Sequence, residues 1–170
     1  MSSAWRIASG KPVALNFTFQ RTTDVDLIRS IAAHPRLYRH LHDDFAPPRD
    51  EWTPIVHELV SYMVAYKDGK PIGLFIVSAH SPVLWEIHEC FLPEAWGEQS
   101  ISATIQFREW IWKESACQRL FGQIVESNRL ALRFAKAAGM SQFGMHPKSF
   151  MKHGRMQDQI LVGLSRPEAY

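Results

Sequence analysis

The segment 120–140, which reads LFGQIVESNRLALRFAKAAGM, constrains the fold more than any other part of the chain. A short apolar run is followed by Asn128, whose side-chain oxygen can accept a hydrogen bond from a free amide in the first turn of a helix. Apolar residues then recur at helical spacing, and Gly139 can adopt the left-handed conformation that ends a helix. The predicted apolar face consists of Leu130, Ala131, Phe134, Ala137 and Ala138. The segment is therefore typical of a strand, a capped helix and a glycine stop, which is half of an α/β unit.

Three consecutive strands are predicted upstream, over 61–66, 71–79 and 83–92, with the hairpin signal Asp68-Gly69 between the first two. The other predicted elements are strands over 14–21, 141–150 and 159–164 and helices over 25–32, 36–44 and 101–113. In the last of these helices the spacing places Ile101, Ile105, Trp110 and Ile111 inside. A meander followed by crossover helices predicts a mixed sheet with helices on both faces. Residues 1–12 are expected to form a loose arm and residues 13–170 a single domain.

Composition and charge exclude several classes of protein. The net charge is +2, and no stripe of Lys and Arg is present, which disfavours nucleic acid as a partner. No apolar run approaches the length that spans a membrane. Cys90 and Cys117 have no metal-binding or redox spacing, so two free thiols in a reducing compartment are expected. These features predict a cytoplasmic protein.

The order of elements and the 125–140 motif together resemble the GNAT superfamily of N-acetyltransferases. Many members carry a valine-rich strand, an Asn at the start of the next helix, a small residue three positions on, and a glycine with a large apolar residue after it. The matching residues here are Val125, Asn128, Ala131, Gly139 and Met140. The segment 86–97, EIHECFLPEAWG, is similar to members encoded by tailed bacteriophages. The resemblance implies an α/β fold with a mixed, mostly antiparallel sheet of six or seven strands.

The resemblance also implies a cleft for acetyl-CoA, which opens where the fourth strand separates from the fifth. Backbone groups of Cys90, Phe91 and Leu92 would hold the pantetheine arm, and Asn128 would contact the same arm. The pyrophosphate would lie at the N-terminus of the following helix, where free amides and the helix dipole favour an anion. The residues expected there are Gly97, Gln99, Ser100 and Ile101.

Three positions depart from the pattern of the superfamily. Gln99 and Ile101 stand where the phosphate loop of many members has a glycine and a small residue, and a side chain there obstructs the approach of the backbone to phosphate. Ala135 stands where many members place a tyrosine that protonates the leaving thiolate.

Glu86 and His88 are the candidates for the general base, because two residues two apart on a strand point to the same face. The alternative is that they line a solvated face of the sheet or pair with each other. Glu89 is expected to point the other way.

A second polar group, His40, His42, Asp43 and Asp44, has no recognisable zinc spacing and is interpreted as a solvated helix end, so no metal site is predicted. Phe45 and Trp52, in the adjoining loop, could form the wall of an acceptor pocket or a lid that packs on the core.

The resemblance implies two alternative functions. The first is an acetyl-CoA-dependent N-acetyltransferase, encoded by a phage and acting on an unidentified amine of a small molecule or a protein in the host cytoplasm. The second is a GNAT-fold protein that has lost catalysis and serves as a head or tail component, or an assembly factor, of a phage particle, with phage structural proteins as its partners.

Overall fold

The computed structural model describes residues 17–167, so the predicted arm at 1–12 and the first residues of the predicted strand 14–21 lie outside the described residues. The strands are β1 (Phe17–Thr22), β2 (Val60–Lys67), β3 (Lys70–Ala79), β4 (Leu84–Phe91), β5 (Arg119–Val125), β6 (Ser141–Lys152) and β7 (Arg155–Ser165). The helices are α1 (Val25–Ala32), α2 (Pro35–Leu41), α3 (Glu98–Glu114) and α4 (Arg129–Ala137), with a 3-10 turn at Pro93–Ala95.

Within the described residues the strands form a seven-stranded sheet in the order β1-β2-β3-β4-β5-β7-β6. Neighbouring strands are antiparallel except β4 and β5, which run parallel. A parallel pair needs a crossover connection, and α3 supplies it. The expected mixed, mostly antiparallel α/β architecture is confirmed.

A two-residue turn closes the β2–β3 hairpin, and another closes the β6–β7 hairpin. Asp68 and Gly69 have φ angles of 51° and 75°, and His153 and Gly154 have φ angles of 52° and 68°. Positive φ at both central positions matches the twist of the flanking strands. The hairpin predicted at Asp68-Gly69 is therefore present, and a second hairpin joins β6 to β7.

Helices cover both faces of the sheet, as the order of elements predicts. On one face α1 and α2 pack through Ile28, Ile31 and Leu37 against a core that includes Leu74 and Cys90. On the other face α3 and α4 pack against a larger core, whose fully buried members include Phe75, Phe107, Ile111 and Leu120. Below, these are called the α1/α2 face and the α3/α4 face.

The predicted inner face of α3 is partly wrong. Trp110 is 37% exposed, whereas Phe107 is fully buried and Trp112 is 8% exposed. The helix begins at Glu98 rather than at Ile101, so part of the expected polar turn at 97–102 is helical. Small buried residues in its first turns bring the helix close to the sheet, and Phe107 then stacks on Phe75 with ring centroids 3.9 Å apart.

The predicted inner face of α4 also needs correction. Leu130 is 66% exposed, and Ala137 is exposed as well. The buried members are Ala135 and Ala138, and Leu132 packs against the α3/α4 core. Helical spacing alone fits both faces. Cys90 and Cys117 are both buried, and they are not bonded to each other.

Candidate active site at the split between β4 and β5

The parallel strands β4 and β5 pair over three residues and then separate. Leu84, Trp85 and Glu86 lie opposite Arg119, Leu120 and Phe121. Beyond this point β4 stays paired with β3 and β5 stays paired with β7. The sheet therefore contains a split whose walls are residues 87–91 of β4 and residues 122–125 of β5. This is the place where the resemblance puts a cofactor cleft.

The backbone of β4 is divided between β3 and the split. The amide of Leu92 donates to the carbonyl of Ile72 at 3.0 Å, on the side of β3. Because hydrogen-bonding directions alternate along an antiparallel strand, the backbone of Cys90 also faces β3 and that of Phe91 faces the split. Of the three residues expected to hold a pantetheine arm, Phe91 is the one whose backbone can reach into the cleft.

The carbonyl of Phe91 already has a partner. The indole Nε1 of Trp96 donates to this oxygen at 2.7 Å. The guanidinium of Arg36, at the start of α2, lies 4.7 Å from the centre of the Trp96 ring. Trp96 therefore closes one end of the split, and the amide of Phe91 remains the backbone group of that residue directed into the cleft.

Glu86 and His88 lie on the α1/α2 face of β4 and contact each other, with 3.3 Å between His88 Nε2 and Glu86 Oε1. Two further side chains reach the same carboxylate. His80 Nε2 lies 2.9 Å from Glu86 Oε2, and Gln123 Nε2 donates to Glu86 Oε1 at 3.0 Å. His146, on β6, lies 3.2 Å from Gln123 Oε1. These five residues are called the polar network.

The polar network fixes the charge of Glu86. The largest effect on the pKa of Glu86 is the hydrogen bond from His88, which lowers it. Burial raises this pKa, but the hydrogen bonds from His80 and Gln123 lower it further. The net result is a pKa of about 2. The side chain is 12% exposed. Glu86 is therefore a carboxylate at every physiological pH and a weak proton acceptor.

His88 is shifted in the opposite direction. Burial lowers its pKa, but the hydrogen bond and the charge of Glu86, together with the charge of Glu89, outweigh this, so the pKa is raised above its ordinary value. The ring is 42% exposed. A partly exposed imidazole, oriented by a carboxylate and with a raised pKa, is well suited to accept a proton.

The sequence singles out Glu86 and His88 but not the other three members of the polar network. His80 lies in a turn, and Gln123 and His146 lie on two other strands. No spacing within one segment of the sequence therefore predicts that they meet Glu86 and His88. The signal that could have found Gln123 is its position in β5, directly across the split from β4.

Glu89 lies on the α3/α4 face of β4, as the alternation of the strand predicts. Burial raises the pKa of its carboxyl group to about 7, against the charge of His88 and a hydrogen bond from its own backbone amide. The sequence alone gives no sign of this shift, because the desolvation comes from the helices that pack over the strand.

The segment 97–101 forms the start of α3, at the same end of the split as Trp96. Gly97 has φ 95°, and the first intrahelical bond runs from the amide of Ile101 to the carbonyl of Gly97. The side chain of Ser100 donates to the same carbonyl at 2.9 Å. No side chain caps this helix within the described residues, so the amides of the first turn are left for another acceptor. Gln99 and Ile101 are half-buried.

Asn128 caps α4 at the end of the other wall. Its Oδ1 accepts from the amide of Ala131 at 3.1 Å. This use of the oxygen leaves the side-chain amide Nδ2 as the group with which Asn128 can contact a ligand. Ala135, about two turns after Asn128, is buried against the α3/α4 core.

The polar group at the end of α2 has a structural role. The carboxylate of Asp44 accepts from the backbone amides of His153 and Gly154 at 3.0 and 2.8 Å. The ammonium group of Lys152 donates to the carbonyls of Arg39 and His42 at the end of α2. We call these contacts the hairpin clamp, because they tie the β6–β7 turn to α2.

Of the two aromatic residues in the following loop, Trp52 packs against the α1/α2 core and Phe45 is 78% exposed. Within residues 17–167, no cluster of three or more His, Cys, Asp or Glu side chains is arranged to hold a metal ion. Among the same residues no helix is both long and apolar enough to cross a membrane.

Comparison with known proteins identifies this architecture. The structure of spermidine N-acetyltransferase from Vibrio cholerae in complex with CoA and spermine superposes with a TM-score of 0.72, at 14% identity, over 88% of this chain and 95% of that one. Ribosomal-protein-alanine N-acetyltransferase from Brucella melitensis superposes with a TM-score of 0.61, at 14% identity, over 88% of this chain and 99% of that one. The chain has the fold of these N-acetyltransferases. No protein-family model and no curated protein matches it by sequence.

Proposed function

We propose that this protein is an N-acetyltransferase that transfers the acetyl group of acetyl-CoA to an amine, and that it is encoded by a tailed bacteriophage and works in the host cytoplasm. The observation that carries the activity is the split between β4 and β5, with the Glu86–His88 pair on β4 at the point where the two strands separate. The names of the structural neighbours support the same activity, and one of them is in complex with CoA. The phage assignment depends on the resemblance of segment 86–97.

The residues around the split fit the cofactor in three places. The amide of Phe91 faces the cleft, the uncapped start of α3 offers free amides to a pyrophosphate, and the Nδ2 of Asn128 stands at the opposite wall. The positive charge of Arg36, next to Trp96, favours an anion at the same end. Acetyl-CoA, when bound, supplies the acetyl group as a thioester.

In this proposal His88 is the general base and Glu86 is a positioning residue. An alkylammonium group must lose a proton before its nitrogen can attack, and His88 has the raised pKa and the exposure to take that proton. Glu86 orients the ring through Nε2 and stabilises the imidazolium. A positioned base contributes about 10²–10⁴-fold to a rate.

Two measurements test the proposal. Isothermal titration with acetyl-CoA is expected to show binding, and release of CoA thiol is expected with at least one member of a panel of primary amines. His88→Gln is expected to lower kcat/KM by about 100-fold or more without changing the dissociation constant for acetyl-CoA. The matched control is His153→Asn, which replaces an exposed histidine at the tip of the hairpin, where φ is positive and asparagine is tolerated.

Absence of binding at millimolar acetyl-CoA contradicts the proposal. Equal losses in His88→Gln and in the His153→Asn control contradict the assigned base.

A second function, a non-catalytic component or assembly factor of a phage particle, is favoured by one feature of the split. The carbonyl of Phe91 is occupied by Trp96, and Gln99 and Ile101 stand in place of the small residues expected beside a phosphate. This alternative predicts stable co-purification with a head or tail protein, and normal particle assembly in Glu86→Ala and His88→Ala variants. Turnover that depends on His88, in a protein that binds no virion component, rules it out.

A further inference from the structure

The indole of Trp96 occupies a backbone acceptor in the split. Its Nε1 donates to the carbonyl of Phe91 at 2.7 Å. That carbonyl points away from β3, toward the side on which β4 and β5 have separated. Trp96 itself is 43% exposed. A large ring at the surface is therefore held across the end of the split by a hydrogen bond rather than by burial.

A second contact of the same ring comes from α2. The guanidinium carbon of Arg36 lies 4.7 Å from the centre of the Trp96 ring, which is a cation–π geometry. Arg36 is exposed, and among residues 17–167 it forms no ion pair with a carboxylate. Its charge is therefore available to an anion that enters the split. We call Arg36 and Trp96 together the latch.

An extended amide chain that pairs with β4 competes with Trp96. The pantetheine arm of acetyl-CoA carries amide N–H groups, and each of them needs an acceptor when it leaves water. The carbonyl of Phe91 is an acceptor that β4 presents at this end of the split, and the indole N–H already uses it. Because the ring stands at this oxygen, an arm that lies along β4 reaches it after Trp96 has moved.

The charges at the same end indicate what moves Trp96. Glu98 is the acidic residue in the first turn of α3, and its charge opposes the binding of a phosphate. Arg36 is the cation that contacts Trp96, two residues before Glu98, so it can offset this charge. Hydrogen bonds from an arginine to phosphate are charge-assisted, and they are stronger than an exposed cation–π contact. A phosphate therefore draws the guanidinium away from the ring.

From these contacts, and resting on the proposed function, we infer that the latch closes the cofactor cleft of the free protein and that the phosphates of acetyl-CoA open it. Every donor must displace Trp96 from the carbonyl of Phe91. Acetyl-CoA offsets this cost through the contact of its phosphates with Arg36. Acetyl-pantetheine, which has the same thioester and the same arm without the nucleotide phosphates, does not. Arg36 and Trp96 thereby determine which donor the protein accepts.

Isothermal titration with acetyl-CoA and acetyl-pantetheine tests the two members of the latch separately. Arg36→Gln is expected to change the two affinities in opposite directions. Acetyl-CoA is expected to bind about tenfold more weakly, because it loses a charge-assisted contact. Acetyl-pantetheine is expected to bind about two- to fivefold more tightly, because the cation–π contact no longer holds the ring. An arginine that only binds phosphate would leave the affinity for acetyl-pantetheine unchanged, and this result overturns the latch.

Trp96→Phe keeps an aromatic ring but removes the N–H group that occupies the carbonyl of Phe91. Both donors are expected to bind about two- to tenfold more tightly, which is the effect of one hydrogen bond. Unchanged or weaker binding of acetyl-CoA contradicts the inference. The matched controls are Trp110→Phe, at a 37% exposed position of α3, and Arg21→Gln, at an exposed position of β1. Neither control is expected to change either affinity.

NMR of the indole N–H groups tests the opening step without a thioester and without turnover. The signal of Trp96 is identified by its absence from the spectrum of Trp96→Phe. Inorganic pyrophosphate is expected to shift this signal in the parent protein and to leave it in place in Arg36→Gln. An equal shift in both proteins overturns the role of Arg36.

The failure of the inference and the failure of the proposed function give different results. If acetyl-CoA binds while the signal of Trp96 stays in place, the latch is overturned and the acetyltransferase stands. If pyrophosphate moves the signal through Arg36 but neither acetyl donor binds, the response of the latch to phosphate is supported and the proposed activity is overturned.

Discussion

Two carboxylates three positions apart on β4, Glu86 and Glu89, have been shifted in opposite directions. The pKa of Glu86 is lowered to about 2, and that of Glu89 is raised to about 7. Glu86 receives hydrogen bonds from His80, His88 and Gln123, whereas burial dominates the environment of Glu89. The strand presents one residue to the α1/α2 face and the other to the α3/α4 face.

The difference shows that two carboxyl groups on one strand can have opposite pKa shifts when they lie on opposite faces of the sheet. Hydrogen bonds to a charged form stabilise it, and removal from water destabilises it. Glu86 is thereby fixed as an anion that serves a neighbouring imidazole. Glu89 is close to half-protonated at neutral pH, which makes it a source of pH-dependent stability.

The largest expected effect comes from Glu86→Gln, which removes the anion that raises the pKa of His88. The value of kcat/KM is expected to fall by about 100-fold, because the base loses its orientation. The pKa of His88 is expected to fall, since burial then acts unopposed by this partner, so the acidic limb of the pH–rate profile moves to lower pH. An unchanged or raised apparent pKa contradicts the role of Glu86. Glu114→Gln, at the end of α3, is the control.

The next effect is on stability, in Glu89→Gln. The folded-state pKa of this carboxyl group lies above the unfolded value, so the parent protein loses stability as the pH rises from about 4.5 to 7. The variant lacks this loss. We therefore expect the free energy of unfolding of the variant, minus that of the parent, to increase by about 1–3 kcal/mol from pH 4.5 to pH 8. Urea denaturation at the two pH values measures this difference. A difference that is constant with pH would show that Glu89 ionises normally.

A smaller effect is expected from His80→Gln, which removes a second partner of Glu86. His88 keeps its bond to the same carboxylate, so kcat/KM is expected to change by less than about tenfold, below the usual effect of removing a base. Steady-state kinetics of His80→Gln and His88→Gln side by side give the comparison. A larger loss of kcat/KM in His80→Gln than in His88→Gln would indicate that His80, and not His88, is the base.

The smallest effect concerns Asn128, which stands apart from both carboxylates. Asn128→Ala removes the cap of α4 and is expected to cost about 1 kcal/mol of unfolding free energy, measured by thermal or urea denaturation. Asn128→Ser keeps a capping oxygen and is expected to keep most of the stability. If the serine variant keeps stability but weakens binding of acetyl-CoA, Asn128 has the second role that the resemblance implies.

The sequence predicts the elements of this fold well, because their signals are local. The turn at Asp68-Gly69 and the cap at Asn128 depend on residues a few positions apart, and the alternation along β4 places Glu86 and His88 on one face and Glu89 on the other. The rest depends on packing between distant segments.

Three features of the molecule depend on such packing and could not be predicted from the sequence. Helical spacing in α3 allows Trp110 or Phe107 to face inward, and the stacking of Phe107 on Phe75 decides between them. The partners of Glu86 come from β5 and from the turn before β4. The raised pKa of Glu89 depends on burial of its carboxyl group in the folded chain.

The hairpin clamp has a consequence for the order in which the protein is made. Its hydrogen bonds join residues about 110 positions apart in sequence. Contacts of such separation form late, because a long loop must close before they are gained. On a ribosome α2 and the meander emerge before the last hairpin, so the end of α2 gains these contacts only after the C-terminal strands have left the exit tunnel.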